Sequence, residues 1–327
     1  MPQSINDIAK NLSRRVADCR TEWELPWRTA SALPVNGVTG RRYRGVNLIN
    51  LSMRAFERGY GRASWMTFRQ ATSLGGCVRR GERGSKIVFL KPLPTDDDEP
   101  VRHVWRVWTV FNIAQIDGVD LPTPVLPSAA HDRTHGTHAF SRLFLSRLSA
   151  PVEHLDCTPC YVPAFDRINL PAEAAFVDTT HLTASQNYLS TLLHEHIHAT
   201  GHPNRLARFD TSAPTGSAYA FEELIAEIGA ALLARMLGLE TEVSESHVAY
   251  LSYWQQTIED DPNALVRAAS AAEAAIAELV DQAGLKVEPV LHCIKDLPPN
   301  GDRRVGRTAP EPSRVPACSP RTEIAAA

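Results

Sequence analysis

Residues 187–200 read Asn187-Tyr-Leu-Ser-Thr-Leu-Leu-His-Glu-His-Ile-His-Ala-Thr200. Leu189, Leu193 and Ile197 recur every four residues, the spacing of one face of an α-helix, and Gly201 is placed to stop it. His194 and His198 are also four apart and fall on an adjacent stripe. Their imidazoles therefore project from one face at neighbouring turns and can both reach a single tetrahedral ion about 2 Å from each nitrogen. Glu195 lies beside them, angled toward that ion, which completes H-E-x-x-H. The bland alternative is a helix whose polar face happens to hold two histidines.

A catalytic zinc needs a third protein ligand, and Tyr219-Ala-Phe-Glu-Glu-Leu-Ile-Ala-Glu-Ile-Gly229 offers carboxylates on a second helix. Glu223 is the expected ligand, with Glu222 as its substitute. Glu227, one turn on, is expected to orient a ligand histidine through its second ring nitrogen. On its own this helix could equally be a solvated acidic stripe beside an Ala/Leu core face. The longer pattern H-E-x-x-H-x-x-G-x-x-H would put its third histidine at Asn204, a poor zinc ligand, and His202 is out of register. A His₂Glu set suits Zn²⁺, and Mn²⁺ can occupy the same donors. In such a site zinc acidifies water and polarises a peptide carbonyl, while Glu195 takes the water's proton and passes it to the leaving amine. The reaction expected is amide hydrolysis.

Outward from the motif, 327 residues with 43% apolar and 22% charged side chains are enough for two domains of ordinary size. The first 110 residues hold 19 Lys+Arg against 10 Asp+Glu, a net of +9, and the remainder 15 against 27, a net of −12. A basic module precedes an acidic one. The first twenty residues have no apolar run of signal-peptide length, and no stretch approaches the length of a membrane span, so a cytoplasmic protein without a membrane partner is expected. Six scattered cysteines do not make a disulfide framework. Cys157-Thr-Pro-Cys160 has no second pair or histidine at zinc-ribbon spacing to complete a metal site.

The fold class expected is α+β. Ile5, Ile8, Leu12 and Val16 mark an opening amphipathic helix over 5–19. Helices follow over 47–58 and 65–74, broken by Gly59-Tyr-Gly61 and Gly75-Gly76, then strands over 86–90 and 101–110 joined by a loop rich in Pro and Asp. Together they form an N-terminal α+β domain, residues 1–121. The prolines of 122–136 mark a linker. Residues 137–286 form a mainly helical second domain with a helix over 140–148 and a small sheet near 160–162 and 167–170. Residues 287–327 have the composition of a disordered tail.

In the basic module Arg41, Arg42, Arg44, Arg79, Arg80, Arg83 and Lys86 are interleaved with Tyr43 and Trp65. Cations that track phosphates, beside aromatic faces that stack on unpaired bases, are the physical recipe for single-stranded DNA binding. Several of those aromatics could equally be core.

The motifs Leu25-Pro-Trp27, Asn36-Gly-Val-Thr-Gly-Arg-Arg-Tyr-Arg-Gly-Val-Asn47, Trp65-Met-Thr-Phe68, Val78-Arg-Arg-Gly-Glu82 and Val110-Phe-Asn-Ile-Ala-Gln-Ile-Asp-Gly118 closely resemble, in order and spacing, the N-terminal domain of ArdC-type antirestriction proteins. The second half is similar to that family's zincin-like metallopeptidase domain through His194-Glu-x-x-His198-x-Thr-Gly-His202, Arg205-Leu206 and Tyr219-Ala-x-Glu-Glu-Leu-x-Ala-Glu227. The resemblance covers roughly residues 3–285. It implies a mobile-element protein that binds single-stranded DNA and helps incoming DNA escape host restriction. It also carries over His194, His198 and Glu223 as metal residues and Glu195 as acid/base. The family pattern has an aliphatic residue where this chain has His196, which is expected to point away from the metal toward solvent or a neighbouring helix. Two rival functions remain open: a shielding protein with a structural metal site, and a metalloprotease acting on DNA-bound proteins. A host protein such as a restriction component is the substrate class in question.

Overall fold

The computed structural model describes residues 10–11, 14, 33–92, 103–121, 138–179, 182–209, 212, 214–239, 261 and 263–287. The expected opening helix lies outside them except at Lys10, Asn11 and Arg14, which are helical. The loop over 94–100, the linker and all of the tail but Val287 also lie outside.

The chain enters strand β1 (Val35–Asn36) and then helix α1 (Gly45–Arg58), which ends where Gly59 takes a left-handed conformation at φ 62°. That φ is nearly free for glycine alone, so the breaker expected here is real. Strand β2 (Ser64–Thr67) and helix α2 (Phe68–Ser73) replace the single helix expected over 65–74. The switch falls at Thr67, whose hydroxyl accepts from Gln70 N at 3.2 Å while Gln70 Oε1 accepts from Thr67 N at 2.9 Å. This reciprocal cap starts a helix at Phe68 and leaves 64–67 extended. Short β3 (Cys77–Val78) leads to β4 (Ser85–Pro92) and β5 (His103–Asn112), and β6 (Ile116–Asp117) pairs back with β3.

The four-stranded sheet runs β1-β2-β5-β4, parallel between β1 and β2 and antiparallel elsewhere. Its β4 edge is closed by α1. Asn47 donates to Val88 O at 2.7 Å and accepts from Val88 N at 2.8 Å, and Asn50 donates to Lys86 O at 2.8 Å. These side chains occupy outward backbone groups of Lys86 and Val88 and so blunt that stretch of the edge as a template for strand addition.

The second half opens with α3 (Ala139–Leu145), shorter than expected. A three-stranded sheet follows, in which β7 (Val152–His154) runs parallel and β8 (Cys160–Val162) antiparallel to β9 (Arg167–Leu170). Three long helices come next: α4 (Ala184–Ala199), α5 (Gly216–Met236) and α6 (Ala264–Ala283). Helix α4 ends at Ala199, just before Gly201. A Cβ at Gly201 would stand 2.2 Å from the Phe209 ring, which folds back over the helix end.

All described residues belong to one compact unit, and one apolar core runs through both halves. Leu48, Ile49 and Met53 of α1 share it with Leu193, Ile197 and Leu233. Beside that core Arg42 makes a bidentate ion pair with Glu273 of α6, at 2.7 and 3.0 Å, and Glu273 also accepts from Gly45 N at 3.2 Å.

Candidate metal centre

Helix α4 is started by another reciprocal cap: Thr183 Oγ1 accepts from Gln186 N at 3.3 Å and Gln186 Oε1 from Thr183 N at 2.9 Å. From there the four-residue spacing carries His194 and His198 to one face, and α5 crosses that face with Glu222 and Glu223. All three glutamates expected to matter are buried, Glu222 and Glu223 at 5% and Glu227 at 2% exposure, so α5 carries no solvated acidic stripe.

Three donors converge. His194 Nε2 lies 3.1 Å from His198 Nε2 and 3.4 Å from Glu223 Oε2, and His198 Nε2 lies 3.5 Å from Glu223 Oε1. Ligands about 2.1 Å from a tetrahedral ion stand about 3.4 Å from one another, so these separations fit a single small divalent cation. Among the described residues this is also the group of His, Cys, Asp and Glu side chains close enough to hold a metal. Cys77, Cys157 and Cys160 are free thiols outside it. Glu195 shares the pocket with these donors, beneath walls that include Cys160, Tyr161, Phe209 and Tyr219.

The electrostatics demand positive charge at this point. Burial disfavours charge on His198, but hydrogen bonds to Glu222 and Glu223 outweigh it and raise the imidazole to about 10. Burial also opposes charge on Glu223, yet His194 and His198 hold its carboxyl far below the usual range. A cation entering between them therefore displaces a proton from His198. At pH 7, below the raised value, metal uptake is expected to release about one proton per site, with affinity rising as pH rises through neutrality. Calorimetric titration in buffers of different ionisation enthalpy measures this, and uptake without proton release would contradict it.

The side chain that orients His198 is Glu222, expected in sequence only as a substitute ligand. His198 Nδ1 donates to Glu222 Oε1 at 3.3 Å, which leaves Nε2 for the metal. Arg208 holds Glu222 in turn, through Nε at 2.9 Å and Nη2 at 2.6 Å, and reaches Thr200 Oγ1 and Ile197 O at the end of α4. Glu222→Ala is expected to weaken metal binding by roughly 10- to 100-fold, read by competition with a chelator. Arg205 anchors the same helix end: it donates to Ala199 O at 2.6 Å and pairs with Asp166, which also accepts from Tyr161 OH at 2.8 Å. No helical spacing in the sequence announces Arg205 or Arg208 as parts of the site, because both act across the turn that follows the motif; Arg205 stands out only within the Arg205-Leu206 motif of the family resemblance.

His196 does not meet solvent. It is 2% exposed, because α4 is enclosed by α5, α6, β8 and β9. Burial, helped by nearby Arg205, pushes its pKa down to about 3, so it stays neutral; its Nδ1 has no hydrogen-bond partner among the described residues.

The basic residues divide into two groups. Arg41, Arg44, Arg80, Arg83 and Lys86 are exposed. Arg79 is exposed too but is engaged with Glu82 at 3.0 Å and Asp117 at 3.3 Å. Three residues expected to touch DNA are buried: Trp65 at 0%, Tyr43 at 6% and Arg42 at 8% exposure. Trp65 and Tyr43 fill a small core with Leu51, Ile87 and Val110, so neither presents a ring face to a base, and Arg42 is committed to Glu273.

Two histidines from an H-E-x-x-H helix and a carboxylate from the next long helix define a zincin-like metallopeptidase domain, and residues 139–271 match the family of that description. Residues 3–115 match the N-terminal domain of the anti-restriction factor ArdC. The chain belongs to the ArdC antirestriction family. Protein y4eC of Sinorhizobium fredii (strain NBRC 101917 / NGR234) is 33% identical over 292 residues, covering 83% of this chain and 91% of y4eC. DNA primase TraC of Escherichia coli is 34% identical over 292 residues, but this chain spans only 26% of the primase. Crystal structures of ArdC from plasmid R388 superpose with TM-scores of 0.68 for the Mn(II)-bound form, at 29% identity, and 0.69 for the metal-free form, at 32%. Each comparison covers 86% of this chain and 98% of the other. No helix among the described residues is long and apolar enough to cross a membrane.

Proposed function

We propose that this chain is an antirestriction protein that binds single-stranded DNA through its N-terminal module, residues 1–121, and carries a metal-dependent peptidase centre in residues 137–286. The two modules act together in the cytoplasm to protect incoming DNA from host restriction. The observation that carries the reading is the convergence of His194, His198 and Glu223 at 3.1–3.5 Å beside Glu195, in a chain whose first part matches the ArdC N-terminal domain. The two-nitrogen, one-carboxylate donor set suits Zn²⁺ and accommodates the Mn²⁺ found in the R388 relative.

A divalent metal at this site supplies Lewis-acid polarisation of a carbonyl and acidifies water. Glu195 receives the proton of the attacking water on its carboxylate and delivers it to the leaving amine. His194, His198 and Glu223 hold the cation, and Glu222 with Arg208 keeps the His198 ring oriented. The substrate expected is a host protein, such as a restriction component, met at DNA.

A DNA-transfer assay in a restricting host tests this reading, using wild type, Glu195→Ala and a charge-reversed Arg80/Arg83/Lys86 variant. Loss of protection in both variants is expected. Loss in the charge variant alone would show that the protein shields DNA without hydrolysis, and loss in neither would overturn the proposal.

A further inference from the structure

With Trp65 and Tyr43 in the core, base stacking needs other aromatic rings, and the sheet provides them. In the β4–β5 hairpin Phe89 pairs with Arg106 and Ile87 with Trp108. Paired residues of antiparallel strands share a sheet face, so Phe89, Arg106 and Trp108 stand together on one face. Phe89 and Trp108 are diagonal neighbours, roughly 7–8 Å apart, with Arg106 beside both. Phe89 is 47% and Trp108 52% exposed, and Arg106 is exposed with them.

These rings are not outward by default of space. On the other face of the same hairpin Val88 is 3% exposed in the core and Val107 packs against it. Along their own face, Ile87 and Val110 are covered by α1 residue Leu51 with Trp65 and Tyr43. The covered strip thus continues into an open one. Two large rings standing together half in water on one face, with a cation beside them, form a surface that a partner bearing planar groups can cover.

Charge selects the partner. At the foot of the hairpin Arg80 and Arg83 are exposed, whereas the sequence between the two strands carries Asp96-Asp97-Asp98-Glu99. A polyanion with unpaired planar groups fits this pattern, its phosphates at the cationic foot and its bases on the rings; an acidic protein would find no use for two stacking faces.

We propose that Trp108, Phe89 and Arg106 form the stacking platform for unpaired bases of single-stranded DNA, with phosphates directed to Arg80 and Arg83. The proposal rests on the reading of the N-terminal module as a single-strand binder, and the test separates the two.

Binding of the full chain to fluorescent oligo(dT) and to a duplex of equal length is measured by anisotropy over a salt series. Trp108→Ala and Phe89→Ala should each weaken oligo(dT) binding roughly five- to hundredfold, with the salt slope unchanged because no phosphate contact is lost. Trp108→Phe should restore most of the affinity, which a merely misfolded variant could not do, and duplex binding should not change. A neutralised Arg80/Arg83 variant should instead lower the salt slope by about one per residue. If the Trp108→Ala/Phe89→Ala double variant binds oligo(dT) like wild type while the Arg80/Arg83 variant loses affinity, the platform is overturned and single-strand binding stands. Equal loss on duplex and oligo(dT) overturns the platform too. If wild type binds no oligo(dT), both readings fail.

Discussion

Glu195→Gln is expected to leave the metal bound and the fold intact while lowering peptide turnover by roughly 10²- to 10⁴-fold, the contribution of a positioned proton-transfer group. Glutamine keeps the volume of a side chain that is only 6% exposed, so packing against the rest of α4 is retained. The amide cannot accept the water's proton and return it to the amine. The three side chains that hold the cation are untouched, so metal content separates a chemical defect from a structural one. Comparing turnover at equal metal occupancy measures the effect, and unimpaired turnover would remove Glu195 from the mechanism.

The second large effect lies away from the metal. Arg42→Ala is expected to destabilise the fold by about 3–5 kcal/mol, because it leaves the Glu273 carboxylate unpaired where its side chain is only 12% exposed. The Arg42 side chain itself is 1% exposed, so water cannot replace it without rearrangement. A double variant, Arg42→Met with Glu273→Leu, should recover most of the loss, since the cost comes from the orphaned charge and not from the absence of an ion pair. Urea unfolding of the three proteins decides this. A small loss in Arg42→Ala would mean that the pair is not what fastens α1 to α6. Because α6 also packs on α4 and α5, this contact links the basic module, through α6, to the metal-bearing helices.

Much of the centre was legible because its determinants are local. His194, Glu195 and His198 follow from helical spacing alone, and the carboxylates at 222 and 223 announce a second donor helix. Which of the neighbouring glutamates meets which histidine depends on the rotation of α5 about its own axis against α4, which no periodicity encodes. Glu222 consequently turns out to orient His198, where the sequence offered it only as a substitute ligand. The same limit applies to His196, whose burial is decided by four other elements.

In the basic module the sequence showed aromatic and cationic side chains together but not their partition. Trp65 lies on a four-residue strand, too short for alternation to separate inside from outside, and a helix capped by Thr67 follows it at once from Phe68, so 65–74 read as a single helical run. Arg42 looked like its neighbours Arg41 and Arg44, and only a residue 231 positions away shows that it is structural. Conversely, Phe89 and Trp108 are not singled out by the sequence, which marks only their strands; the pairing register reveals that they share an open face.

The most direct measurement is metal uptake by equilibrium dialysis against Zn²⁺ and Mn²⁺ for wild type, His194→Ala/His198→Ala and Glu195→Gln. One equivalent is expected in wild type and in Glu195→Gln, and none in the double histidine variant. A double histidine variant that still takes up one equivalent, or a folded wild type that takes up none, would contradict the assignment of His194, His198 and Glu223 as the metal site.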